Sequence, residues 1–330
     1  MKYVLFALLA ACGDNHECSL DGPMCDRLSD YGFFADIATQ TPAPGVTPYE
    51  LDTPLFSDYA TKQRFIYLPT GSQMQWSDDD AFDLPYGAAL IKTFSYAKKL
   101  ETRVLIHGSA TSDDWHGASY IYNGEDGDAV LASAGGVIST SVDTTVGPEQ
   151  NDYVVPNENQ CKNCHAEHDD IVTPLGPKAR HINVHDQLQA FVANDLLAGA
   201  PDPSTWPKDP VATDPGTGTL DARARAFLDI NCGHCHNPTG QARTSGLYLD
   251  AFETDQAKFG VCKPPVATGR GSGGLAYDIV PGQPDASIMI YRVSSTEPSI
   301  KMPEVGRNLV YSEGLQLLRD WISAMPGQCK

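Results

Sequence analysis

The chain has 330 residues, 41% of them hydrophobic, with 42 acidic side chains against 23 lysines and arginines and a formal net charge of −19. That length allows two or three domains with sizeable cores, and the hydrophobic share is that of a soluble globular protein. The acidic excess argues against nucleic acid and bare anionic membrane as partners, and it suits solubility or docking to a basic protein face.

Met1-Lys2, an apolar run from Tyr3 to Ala11 and then Cys12 follow the pattern of a signal peptide. The run is too short for a transmembrane helix. Leu9-Ala10-Ala11-Cys12 resembles a bacterial lipobox, which implies a signal peptide over residues 1–11 and lipid on the Cys12 sulfur. An ordinary signal peptide with Cys12 incidental is the alternative. Gly13 gives no signal for inner-membrane retention, so the expected location is the cell envelope, at an outer membrane facing the periplasm or exterior. Residues 12–48, polar and rich in Gly, Asp and Pro, read as a flexible tether holding the body off the membrane.

Over 49–155 the pattern changes to strands. Gln63–Leu68, Ala89–Tyr96, Thr102–His107 and Ala118–Tyr122 are short and rich in β-branched and aromatic residues, with turn residues such as Pro69-Thr70-Gly71 and Asn123-Gly124 between them. The spacing predicts an antiparallel β-sandwich or barrel-like domain of about six to eight strands. Asp78-Asp79-Asp80 and the acidic 123–128 stretch lack the closing glutamate of a calcium loop and read as solvated turns.

Residues 156–200 carry Cys161-Lys162-Asn163-Cys164-His165, and the pattern returns as Cys232-Gly233-His234-Cys235-His236. Two thiols separated by two residues and followed at once by histidine read as covalent attachment of c-type haem. The thiols add to the two vinyl groups on one haem edge, and the imidazole becomes the proximal ligand. Zinc and redox-dithiol sites also use Cys-x-x-Cys but need no histidine directly after it. The cofactors expected are therefore two covalently bound haems c, on Cys161 and Cys164 with His165, and on Cys232 and Cys235 with His236.

After the first motif, Leu188, Phe191, Val192, Leu196 and Leu197 fall on one helical face, enough to cover one side of a haem but not to make a cytochrome domain. Residues 201–219, with Pro201, Pro203, Pro207, Pro210 and Pro215, read as an extended linker. Residues 220–330 open on helical spacing through Leu220, Ala224, Phe227 and Leu228 and close on a helix beginning near Ser312, whose apolar face is Leu315, Leu318, Trp321, Ile322 and Met325. Lys301-Met302-Pro303 stands between them. Four cysteines go to haem and Cys12 to lipid, which leaves Cys18, Cys25, Cys262 and Cys329. Four can pair in three ways. Cys18–Cys25 would close a small N-terminal loop, and Cys262–Cys329 would tie the chain end back to the last domain.

On Cys232, Cys235, His236, Met302-Pro303 and the closing helix with Trp321-Ile322, residues 220–330 resemble class I cytochrome c, which implies an all-α domain. On Thr53-Pro54-Leu55-Phe56-Ser57-Asp58-Tyr59-Ala60 and Leu175-Gly176-Pro177-Lys178 the whole chain resembles a family of bacterial dihaem c-type cytochromes of poorly defined role. The expected fold is multidomain: an N-terminal antiparallel β domain, a short first-haem segment and a C-terminal all-α, class I cytochrome c-like domain.

Met302 is the expected distal ligand of the second haem, with Met289, in an apolar run that reads as core, its rival. His234 lies within the attachment turn and is poorly placed. For the first haem, His181 and His185 lead weakly over His168 and over Met74, His107 and His116 from the β segment, and a five-coordinate iron is open. Arg270 is a candidate to neutralise a haem propionate. The function expected is electron transfer between a periplasmic or cell-envelope donor and acceptor, with redox proteins as partners and no catalytic residues of its own. A dihaem peroxidase using an open first haem, or a binding module carrying a redox relay, are the alternatives. No Gly-x-Ser-x-Gly or His-Glu-x-x-His pattern is present, and the Arg270-Gly271-Ser272-Gly273-Gly274 stretch lacks the strand–turn–helix context of a nucleotide fingerprint and reads as a haem-edge loop.

Overall fold

The computed structural model describes residues 19–20, 22–108, 115–124, 127–166, 171–266 and 268–330. The signal peptide, Cys12, Cys18 and His168 lie outside the described residues. Among the described residues no helix is long and apolar enough to cross a membrane.

Strands β1 (Phe34–Asp36) and β2 (Thr41–Pro42) form a small antiparallel ribbon. They are followed by β3 (Val46–Tyr49), β4 (Thr61–Tyr67), β5 (Met74–Gln75), β6 (Ala89–Ser95), β7 (Lys99–His107), β8 (Trp115–Tyr122) and β9 (Ala129–Leu131). The main sheet has six antiparallel strands in the order β3-β4-β6-β7-β8-β9. Register aligns Phe65, Ile91, Val104 and Ala118 across four strands on one face. These four share a core with Leu28 and Phe33. One residue along, Ile66, Leu90, Leu105 and Gly117 face the other way, and Ile66, Leu90 and Leu105 pack into a second core. Alternation with period two thus buries both faces. The nine-residue strands β10 (Gly136–Thr144) and β11 (Gly147–Val155) pair as a separate hairpin, and Tyr153 and Val155 of the hairpin pack with Phe94 and Leu100 of the sheet. The sheet is open, with β3 and β9 at its edges, rather than a closed barrel or two stacked sheets.

Among the described residues six helices are distributed along the rest: α1 (Glu158–His165), α2 (Ala179–Ile182), α3 (Gln187–Ala193), α4 (Leu220–Leu228), α5 (Ile288–Val293) and α6 (Ser312–Ala324). Strand β12 (Leu197–Ala198) pairs in parallel with β5. The segment expected to cover a haem instead sends Ile182, Leu188, Phe191 and Leu197 into the second core of the sheet.

Three expectations are corrected. The C-terminal part is not the all-α, class I cytochrome c-like domain: its helices α4, α5 and α6 have nine, six and thirteen residues, and long non-helical connections separate them. Between α4 and α6 lie glycines at positive φ, among them Gly246, Gly260, Gly273, Gly282 and Gly306, and seven prolines from Pro238 to Pro303. Both residue types break helices. The stretch 12–48 is no tether from Leu28 onward, because Leu28, Phe33 and Val46 are core residues of the sheet. Nor is 201–219 a free linker, since Trp206 is buried in the second core and Ala212 in the C-terminal core.

The Thr53–Ala60 stretch staples the sheet to the C-terminal part. Thr53 Oγ1 accepts from the Ala212 amide at 2.9 Å, and the Phe56 amide donates to Asn231 Oδ1 at 2.8 Å. The Phe56 ring stacks on Tyr311 with centroids 4.5 Å apart. The buried Asp58 carboxylate accepts from the backbone amides of Asn308 and Leu309, each at 2.8 Å, and from Asn151 Nδ2 at 3.2 Å. Tyr59 hydroxyl accepts from the Ser312 amide at 3.1 Å.

Candidate functional site

Helix α1 presents the first Cys-x-x-Cys-His. It starts at a reciprocal capping box, in which Asn157 Oδ1 accepts from the Gln160 amide and Gln160 Oε1 from the Asn157 amide, at 2.8 and 2.9 Å. The helix rests on the sheet where Gly117 has no side chain, and a Cβ placed there would lie 3.9 Å from Cys161 Sγ. At its end, His165 Nδ1 donates to the Thr173 carbonyl at 2.9 Å, and the Thr173 amide donates back to the His165 carbonyl at 2.7 Å.

The second motif follows α4 through a wide turn, Asp229–Gly233, of π type. Asn231 ties the turn down by donating to the Phe227 carbonyl at 3.0 Å. The amides of Cys235 and His236 both donate to the Cys232 carbonyl, at 3.1 and 2.9 Å. His236 Nδ1 faces the Leu247 carbonyl at 3.3 Å.

A carbonyl can only accept, so in both motifs Nδ1 carries the proton and Nε2 keeps its lone pair. Burial pushes His236 down to about 4 and lowers His165 as well. Both imidazoles are therefore neutral at neutral pH, the form that binds iron. None of Cys161, Cys164, Cys232 and Cys235 is in a disulfide.

Two cavities adjoin these turns. One, of about 380 Å³, is lined by Cys232, Cys235, His236 and both Met289 and Met302, with apolar walls from Leu228, Leu249 and Ile288. The other, of about 600 Å³, is lined by Cys164 and His165 and, from the sheet, by His107 and Trp115. Cys164 and His234 line both. The two motifs touch: Cys235 Sγ lies 3.6 Å from the Asn163 carbonyl, and Gln241 Nε2 donates to the Ala166 carbonyl at 2.9 Å. The neighbouring Cys235 holds the Cys164 thiol down, and Cys164 together with burial pushes the Cys235 thiol up.

Met302 sits at the first cavity on a loop braced by Arg307, whose Nε and Nη2 donate to the Met302 carbonyl at 3.0 and 2.6 Å. Met289 reaches the same cavity from the C-terminal core. Arg270 is far from this role: it is exposed and ion-paired to Glu297 at 2.7 Å. The basic groups lining the cavity are Lys263, paired to Asp278 at 2.9 Å, and Arg292. Sequence reasoning missed both, although a lone arginine in the apolar run Ile288–Val293 was a signal.

His181 and His185 line neither cavity. His185 is exposed and lies 3.1 Å from Glu50. His181 is buried with its Nε2 at 2.7 Å from Asp229 Oδ2. Arg180 forks onto the same carboxylate at 2.8 and 3.2 Å, and Asp209 Oδ2 lies 3.6 Å from His181. His181, Asp209 and Asp229 offer ligand atoms within 4.8 Å of one another, and Arg180 already pairs with Asp229.

Cys262 and Cys329 form a disulfide with Cα atoms 5.2 Å apart. Cys25 is disulfide-bonded too, and the expected partner Cys18 lies outside the described residues. Comparison with family models, with curated proteins and with solved structures finds no match.

The residues present fit haem. Each turn offers two unbridged thiols and one imidazole whose Nδ1 is engaged and whose Nε2 is free to coordinate. The first-described cavity adds two thioethers and two basic groups suited to carboxylates.

Proposed function

We propose that this protein is a dihaem c-type cytochrome of the cell envelope that passes electrons between a donor and an acceptor protein. Cys161 and Cys164 hold one haem by thioether bonds, with His165 as proximal ligand. Cys232 and Cys235 hold the other, with His236 proximal and Met302 distal. Bound there, haem supplies a one-electron couple. The chain keeps both imidazoles neutral, fixes their orientation through backbone carbonyls, and surrounds the second site with apolar side chains. Arg292 and Lys263 offer partners to the propionates. The resemblance to bacterial dihaem c-type cytochromes points the same way.

The observation that carries this reading is the contact between the two attachment turns. Cys235 Sγ reaches the Asn163 carbonyl at 3.6 Å, and Cys164 and His234 border both cavities. Haems held at these two turns would be close neighbours, as a relay requires. Export is supported by the Cys262–Cys329 bridge, which belongs to an oxidising compartment. Lipid on Cys12 is part of the same reading.

The test has two stages. Protein matured with c-type haem machinery retains two haems through acid–acetone extraction, and its intact mass shows both. Half-reduced protein mixed with hydrogen peroxide in a stopped-flow cell shows no sustained turnover. A mass with one haem or none overturns the dihaem assignment, and sustained turnover moves the protein to the peroxidase class.

A further inference from the structure

We propose that the distal ligand of the first haem is His107, a residue of the sheet, an inference that rests on the dihaem reading above. His107 ends β7 and pairs in register with Trp115 of β8. It is 8% exposed and borders the same cavity as His165. Its Nδ1 donates to the Leu84 carbonyl at 2.8 Å. That is the device seen at His165 and His236, and it again leaves Nε2 with the lone pair. Nε2 has no hydrogen-bond partner among the described residues. The ring is held between Trp115, stacked at 4.5 Å and 5°, and Tyr86 at 4.6 Å. A ligand carried by a paired strand and clamped between two aromatic rings is placed with little freedom, as a metal site needs.

The rivals are committed elsewhere. His181 is bonded to Asp229, His185 and His116 are exposed, and Met74 is 1% exposed within the second core of the sheet. His234 does border the cavity and its buried Nδ1 has no partner, but it sits inside the second attachment turn, between Cys232 and Cys235, and borders both cavities at their shared edge. The first haem is then bis-histidine and the second histidine–methionine. A thioether favours ferrous iron more than an imidazole does, so the first haem has the lower potential. Electrons would then enter at the site against the sheet, held by His165 and His107, and leave from the site beside Met302.

The test is spectroscopic and needs no turnover. Haem content of every sample is measured first by pyridine haemochrome. Ferric wild-type protein with two haems shows one bis-imidazole and one imidazole–thioether component by electron paramagnetic resonance and near-infrared magnetic circular dichroism. His107→Met removes the bis-imidazole component and raises the lower potential. His107→Ala, once reduced, binds one equivalent of carbon monoxide per chain, where wild type and His116→Ala bind none. Two covalent haems with a bis-imidazole signal that survives both His107 variants overturn the assignment. So does a two-haem wild-type protein without that signal, a result that depends on no variant folding. Fewer than two haems in wild type overturns the dihaem reading instead, and the two failures are told apart by the haem count.

Discussion

Asp209 carries the unpartnered oxygen of the buried cluster around Arg180, His181 and Asp229. Burial pushes its carboxyl up to about 6, against the pull of His181 and with repulsion from Asp229. Burial raises Asp229 too, but hydrogen bonds from His181 and Arg180 outweigh it and hold that group below the usual carboxylate range. The signs oppose. Asp229 contributes stability at every pH above the unfolded value and loses it only in strong acid. Asp209, whose folded value is raised, costs stability progressively from about pH 4 to 6, and the cost is complete above that. Asp209→Asn is therefore expected to stabilise the protein at pH 7 by on the order of 2 kcal/mol, and by much less at pH 4. Denaturant titrations at the two pH values check this, and an equal effect at both would contradict the sign. None of this was legible in the sequence, where His181 read as a ligand. Spacing identifies the thiols and proximal histidines because one short turn supplies them all. His107 and Arg292 meet their cavities only through the fold, and no local pattern announces that.

At the scale of elements, the link between sheet and C-terminal part depends on one carboxylate. Asp58 accepts two backbone amides of the 308–309 segment, just after the Met302 loop, while buried to 3% exposure. Asp58→Ala leaves those amides without partners in a closed interface, at a cost on the order of 3 kcal/mol. Hydrogen exchange at Asn308 and Leu309 is expected to rise sharply, with a smaller rise in Asp58→Asn, which keeps one acceptor oxygen. Protection unchanged in both would show that the aromatic stack of Phe56 on Tyr311 holds the junction alone. Strands β4, β6, β7 and β8 were legible because their β-branched and aromatic residues alternate over seven or more positions. The supposed tether and linker were misread because isolated anchors, Leu28, Phe33 and Trp206, bury themselves without any period. The supposed all-α domain failed for the opposite reason: α4 and α6 were legible as helices, α5 read only as an apolar run, and the Gly- and Pro-rich segments between them hold most of the chain there.

For the whole molecule, the net charge of −19 acts at a distance. Exposed charges are screened over about 10 Å at 0.1 M salt, so attraction to a basic partner fades as salt is added. Electron exchange with a cationic redox protein is expected to slow on the order of tenfold between 10 mM and 0.5 M salt, and exchange with an acidic one to quicken. Stopped-flow rates across that range check the sign, and a flat profile would remove electrostatic docking from the proposal. The same molecule carries one covalent closure of a different kind. The Cys262–Cys329 bridge spans 67 residues and makes a ring that contains Met289, Arg292, Met302, Arg307 and all of α6. Closing such a ring lowers the entropy of the unfolded chain by the equivalent of about 4 kcal/mol. It also changes what a single backbone cut can do. A protease that nicks the ring, for instance at exposed Arg270, frees no fragment, because both new ends stay joined through sulfur. One wall of the methionine-lined cavity is thereby proof against any one scission, while the wall that carries Cys232 and His236 lies outside the ring.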